Sequence, residues 1–224
     1  MSRSGPPENA PAGVAGWPAD PLERAAAAAA AGLRRPVTAE TAAAIALLVD
    51  ADPDPRVRVA ALGALARTPD PPSDRWLRAA ADPDPAVRRR AADLAPAFAG
   101  PPVAAGLLLL LADPDGSVAE GAAWALGELG IEVAGPDAVR RLAQAARSHD
   151  DPLVREAAVA ALGALGDPAG LGAVLAGCAD KPAIRRRAVL ALAAFEGPDV
   201  DAALQKAVED KDWQTRQAAE DLLG

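Results

Sequence analysis

At 224 residues the chain has room for one or two domains, and 51 % of it is apolar, much of that alanine, with aromatics at only 3 %. A thick core of large side chains is thereby excluded, and helices meeting closely through small residues are expected instead. The net charge of −8 favours solubility and opposes polyphosphate partners unless the basic residues gather on one face, while the single cysteine, Cys178, rules out an intrachain disulfide and fits a reducing compartment.

In chain order, residues 1–18 are rich in Pro, Gly and Ala without periodicity and read as a disordered tail. They carry no apolar stretch that would serve as a secretory signal, so a cytoplasmic location is expected. Trp17 is expected to pack on the first helix. Asp20, Pro21 and Glu23 mark a helix start, and the alanine-rich stretch they open makes 19–35 an N-terminal capping helix.

From residue 36 to 224 one unit is spelled six times. Its anchors are Val57, Val87, Val118, Val154, Ile184 and Thr215, with steps of 30, 31, 36, 30 and 31 residues. Four residues after every anchor stands alanine: Ala61, Ala91, Ala122, Ala158, Ala188 and Ala219. Eight after it stands leucine, except at Ala95. Such a period predicts stacked two-helix units, each burying its apolar face against its neighbours. The first helix carries an apolar run such as 42–49, 103–111, 139–146, 171–178 or 200–208 and ends at an acidic turn, for example Asp52-Pro-Asp54-Pro or Asp82-Pro-Asp84-Pro. The second aspartate suits an N-cap and the proline after it the first helical position. The longest apolar run, 103–112, is too short for the ~20 residues a bilayer needs and reads as a buried helix. The 36-residue step places an insertion at 130–136, expected as a longer edge loop or a change of curvature.

The string Asp-Pro-Asp-x-x-Val-Arg-x-x-Ala-x-x-x-Leu, seen from Asp52 to Leu65 and in part from Asp151 to Leu162, resembles the short HEAT-like repeats of phycobilisome lyase subunits and many bacterial proteins. The resemblance implies an all-α, right-handed solenoid of about six repeats whose second helices line a concave side. It further implies that the arginine after each anchor (Arg58, Arg88, Arg155, Arg185, Arg216) and the aspartate five before the anchor (Asp52, Asp82, Asp113, Asp210) form a ladder of charge-assisted hydrogen bonds from repeat to repeat. Ala119 is expected to break this ladder on the basic side, leaving Asp113 without its own repeat's arginine, and His149 and Ala179 on the acidic side.

Catalytic constellations are absent. The lone histidine, His149, lies in the contiguous string Ser148-His149-Asp150-Asp151, whose members cannot face one another as nucleophile, base and orienting acid must. The calcium-like start at Asp113-Pro-Asp115-Gly116 fails because its twelfth position is Trp124 instead of a bidentate glutamate. Cys178 lies on an apolar stripe and reads as inert core. No metal, cofactor or catalytic residue is assigned. On the second helices the positions two, six and nine after the anchor point away from the core. They yield a candidate partner-binding surface of Arg89, Asp93, Glu120, Trp124, Glu156 and Arg186 over a floor of small residues that includes Gly127 and Gly163. In the triplets Arg88–Arg90 and Arg185–Arg187, the arginines outside the ladder read as solvent-facing. Glu120 and Glu156 interrupt the basic residues, which argues against nucleic acid. The expected function is a monomeric, non-catalytic scaffold gripping a partner protein, with a lyase-like helper in cofactor handling as the alternative.

Overall fold

The computed structural model describes residues 16–34, 36–98 and 100–224. Residues 1–15 of the expected tail, and Arg35 at the end of the capping segment, lie outside the described residues. Among these there are thirteen α-helices and no strand. The chain divides into two compact units, Met1–Phe98 and Ala99–Gly224.

The first unit holds α1 (Pro21–Ala31), α2 (Ala39–Ala51), α3 (Pro55–Leu65), α4 (Ser73–Ala80) and α5 (Pro85–Phe98). α3 packs on both α1 and α5, and α2 and α4 form the other layer. Trp76 of α4 is fully buried and donates its indole N–H to the Ala91 carbonyl at 2.7 Å. The second unit holds α6 (Pro101–Leu110), α7 (Gly116–Leu129), α8 (Ile131–Ser148), α9 (Pro152–Leu165), α10 (Leu171–Gly177), α11 (Pro182–Ala191), α12 (Pro198–Ala207) and α13 (Trp213–Leu223). Here α7, α9, α11 and α13 stack in succession, while α6, α8 and α10 form the layer behind them.

Local chemistry sets the helix starts. Asp54, Asp84, Asp115 and Asp151 each accept a bond from the backbone N–H two residues on, at 2.8–2.9 Å. Caps of this kind contribute about 1 kcal/mol each. The aspartate before the cap folds the turn: Asp52, Asp82 and Asp113 accept from the N–H of Asp54, Asp84 and Asp115 at 2.9–3.0 Å. His149 does the same through Nδ1, accepting from the Asp151 N–H at 3.1 Å. A neutral imidazole thus stands in for a carboxylate.

The apolar stripe is buried as its spacing predicts. The six anchors and the six alanines four residues on are at most 1 % exposed. Thr215 joins them because its hydroxyl is satisfied locally by Asp212, at 2.9 Å. Leu223, in the last turn of α13, departs from the pattern at 40 % exposure, and Leu109 in the run expected to be buried is 78 % exposed. α6 therefore buries only one face, with Val103, Leu107 and Leu110 inside.

Within each unit the ladder arginines reach forward to the aspartate of the next repeat. Arg24, Arg58, Arg155 and Arg185 send Nε and Nη2 to both oxygens of Asp52, Asp82, Asp180 and Asp210, at 2.6–3.2 Å. Nη1 turns back to the carbonyls of the arginine's own turn, as Arg58 does to Asp52 O at 2.9 Å. Two expectations are corrected, and the ladder also reaches one helix further than the repeats. Arg24 extends the ladder into α1, which stands where the second helix of a repeat would. Ala179 breaks nothing, because Asp180 one residue later takes its place. Ala119 and His149 are the two halves of one missing rung, so the arginine absent at 119 would have served position 149 and not Asp113.

Where that rung is missing, α7 and α9 approach closely. A Cβ on Gly127 would lie 2.9 Å from Ala161 Cα. The same joint recurs between Gly32 and Ala64 and between Gly163 and Ala191, where a Cβ would lie 2.6 Å from the alanine Cβ. Glycines read as an outward floor are thus wedged between successive second helices. The insertion at 130–136 is helical instead of an extended loop. Gly130 ends α7 with φ 72°, the next residues make a helical turn, and Gly135 with φ 73° kinks α8 before Pro136.

Candidate functional site

The outward face of the second unit's second helices carries an open groove of about 390 Å³. Three consecutive repeats build it from the same position, six residues after the anchor: Trp124 on α7, Ala160 on α9 and Leu190 on α11. A small residue between two large ones leaves a trough. Trp124 and Leu190 stand 37 % and 45 % exposed, and Ala160, Gly163, Ala164, Ala191 and Ala194 form the floor between them. Apolar surface left open in a concave setting is the kind that recognition sites use.

Arg187 completes the groove. Its guanidinium carbon lies 5.4 Å from the centroid of the Trp124 ring, within cation–π range. Its Nη2 is 3.6 Å from Glu156 Oε1, an ion pair too long to be a hydrogen bond. Among the described residues Arg187 makes no hydrogen bond, and its Nε is buried without an acceptor. Read from sequence as solvent-facing, Arg187 is instead the side chain that joins Trp124 to Glu156.

The remaining candidates fall elsewhere. Arg186 donates to Gln214 of the next repeat. Glu120 is half-buried on α7, one turn before Trp124. Arg89 and Asp93 belong to the first unit and pair with each other along α5 at 2.8 Å. The only signal for Arg187 was its position three residues after an anchor, which Arg90 shares; Arg90 lies over Gly63 of the preceding repeat, where an added Cβ would meet its Nη2 at 2.9 Å.

The other cavities of this unit are built on structural groups. One, of about 580 Å³, lies beside Cys178 and is lined by the Arg185–Asp210 rung and Lys206. Burial pushes the Cys178 thiol up to about 11, which keeps it protonated and unreactive at neutral pH. A cavity of about 270 Å³ borders His149, whose Nδ1 is already committed to the turn.

Residues 103–183 match the family model described as HEAT repeats. This stretch carries HEAT repeats. The matched stretch contains Trp124 and the α9 floor of the groove. The fold is that of known helical repeat solenoids. It is similar to the YibA protein of Escherichia coli, with a TM-score of 0.70 at 18 % identity over 94 % of this chain and 78 % of that one. It is also similar to the CpcE–CpcF complex of phycocyanin lyase from Nostoc sp., with a TM-score of 0.56 at 21 % identity over 100 % and 91 %. A structure of Kap95p with RanGDP matches with a TM-score of 0.58 at 17 % identity, over 90 % of this chain and 32 % of that one. No curated protein matches the sequence. Among the described residues no helix is long and apolar enough to cross a membrane.

Proposed function

We propose that the protein is a non-catalytic scaffold whose HEAT repeats grip a partner protein along the outward face of the second helices, with the Trp124 groove as anchor. The observation that carries this reading is a part-exposed tryptophan, held by Arg187 and facing Leu190 across a small-residue floor. Tryptophan and arginine concentrate binding energy at protein interfaces, and a floor without side chains lets a partner's backbone approach. The charges nearby support a protein in preference to a nucleic acid. Arg187 is offset by Glu156 and Arg89 by Asp93, so the basic residues do not make the continuous stripe that phosphates need.

The test is capture and affinity measurement with the native partner. Trp124→Ala is expected to weaken binding by about 2 kcal/mol or more, roughly thirtyfold in Kd, with little change in melting temperature. A lowered melting temperature with unchanged affinity would assign Trp124 to packing alone. Iodide quenching gives a check that needs no partner. In a variant with Trp17, Trp76 and Trp213 changed to phenylalanine, the Trp124 fluorescence should be quenched, and full shielding would remove the site.

A further inference from the structure

The geometry points to a more specific ligand for this groove: an apolar side chain with a carboxylate beside it, as a partner protein presents where Leu or Phe neighbours Asp or Glu. The inference rests on the groove being a binding site and adds what it selects. Arg187 is the only ionisable residue lining the groove; every other lining residue is Trp124, Leu190, glycine or alanine. The site therefore offers an apolar trough and one positive charge.

That charge is held in place, faced by Glu156 at 3.6 Å but spent on no hydrogen bond. The ladder arginine two residues before it, Arg185, places Nε and Nη2 on Asp210 at 2.8 and 2.7 Å, and Arg58 and Arg155 treat Asp82 and Asp180 the same way. Arg187 has the same donors but no such acceptor. The Trp124 ring fixes its guanidinium, and Glu156 at 3.6 Å restrains it without a hydrogen bond. Guanidinium forks bind carboxylates and phosphates through paired, charge-assisted bonds, so the group that suits Arg187 is an oxyanion. Arg186, whose partner is the neutral Gln214, adds a second positive charge next in sequence. The local balance of Arg186, Arg187 and Glu156 is thus positive although the chain as a whole carries −8. One carboxylate suits that balance better than a doubly charged phosphate, which Glu156 opposes more strongly.

Two capped dipeptides test this, acetyl-Phe-Glu-amide and its neutral counterpart acetyl-Phe-Gln-amide, titrated into the full chain while the Trp124 indole N–H is followed by NMR. The acidic peptide should shift that resonance at about fivefold lower concentration than the neutral one, the effect of one exposed charge-assisted contact. Arg187→Gln should erase the difference while the helical circular dichroism stays unchanged. Glu156→Gln should widen it by freeing Arg187 from its competitor. Equal response to both peptides would overturn the carboxylate preference while leaving the groove as an apolar anchor. No shift from either, or a stronger shift from adenosine monophosphate, would also overturn it. Loss of partner capture in Trp124→Ala stands apart from all of these and bears on the scaffold reading alone. Sedimentation at rising protein concentration separates the remaining occupant, a second copy: self-association abolished by Trp124→Ala would replace the peptide with the chain itself.

Discussion

Replacing Gly163 by alanine tests the joint on which the groove floor rests. An alanine for a glycine inside a helix ordinarily stabilises by up to about 1 kcal/mol. Here the new Cβ would lie 2.6 Å from Ala191 Cβ and 2.9 Å from Ala191 Cα. Carbon atoms rest comfortably at ~3.5–4.0 Å, so α9 and α11 must part by about 1 Å. Backbone atoms cannot rotate aside as a side chain does. Overpacking of this kind costs about 1–3 kcal/mol, which outweighs the helix gain and leaves a net loss of about 1 kcal/mol or somewhat more. Gly63→Ala is the matched control. Both glycines stand two residues before the end of their helix, so the propensity gain is the same. The atoms nearest to a Cβ at position 63 all belong to the guanidinium of Arg90, with Nη2 at 2.9 Å, and that flexible end can move. Scanning calorimetry should show Gly63→Ala raising the melting temperature and Gly163→Ala lowering it, by about 2–4 °C per kcal/mol. If both substitutions raise it, the joint has slack and the close approach of α9 and α11 is wrong.

Two further outcomes follow from the electrostatics. Asp180 and Asp210 are held below the ordinary carboxylate range, first by their hydrogen bonds from Arg155 and Arg185, so their contribution is complete above that range and is lost as pH falls through the depressed folded values. Urea midpoints should therefore fall on acidification less steeply in Asp180→Asn with Asp210→Asn than in the native chain, and each substitution should cost about 1.5–3 kcal/mol at pH 7; parallel acid profiles would refute the rungs. Cys178, with its thiol pushed up to about 11, should react with iodoacetamide at pH 8 about a hundredfold more slowly than free cysteine, and alkylation at the free rate would show the burial to be wrong.

Much of the fold was legible because each repeat restates its own rules. Asp-Pro at a helix start, valine or isoleucine three residues after the cap, and alanine four residues on are short-range signals. Restated from repeat to repeat, they outweigh any single exception, and Thr215 was placed correctly although its residue type argued against burial. The run of the ladder from repeat to repeat followed from the resemblance, but its exact pairing did not: which aspartate each arginine serves is invisible along one helix. For this reason Ala119 and His149 looked like two defects. Gly127, buried against α9, was misplaced for the same reason, since a helical wheel has no neighbouring helix on it.

The groove shows the same limit at the scale of a site. Trp124 was recognisable alone, as an aromatic at an outward position among small residues. Arg187 was not, because its partner lies two repeats away and only the small side chain of Ala160 between them lets it reach the indole. Binding surfaces on stacked repeats are assembled from one residue per repeat, so the informative unit is a row across helices. Reading the six-after-anchor row as Trp124, Ala160, Leu190 yields a trough. Reading the three-after-anchor row beside it yields Arg187 and hence the charge of what fills the trough. A large–small–large row flanked by a basic residue without a carboxylate is therefore a pattern to seek in other sequences built from these repeats, where residue order alone would mark the groove.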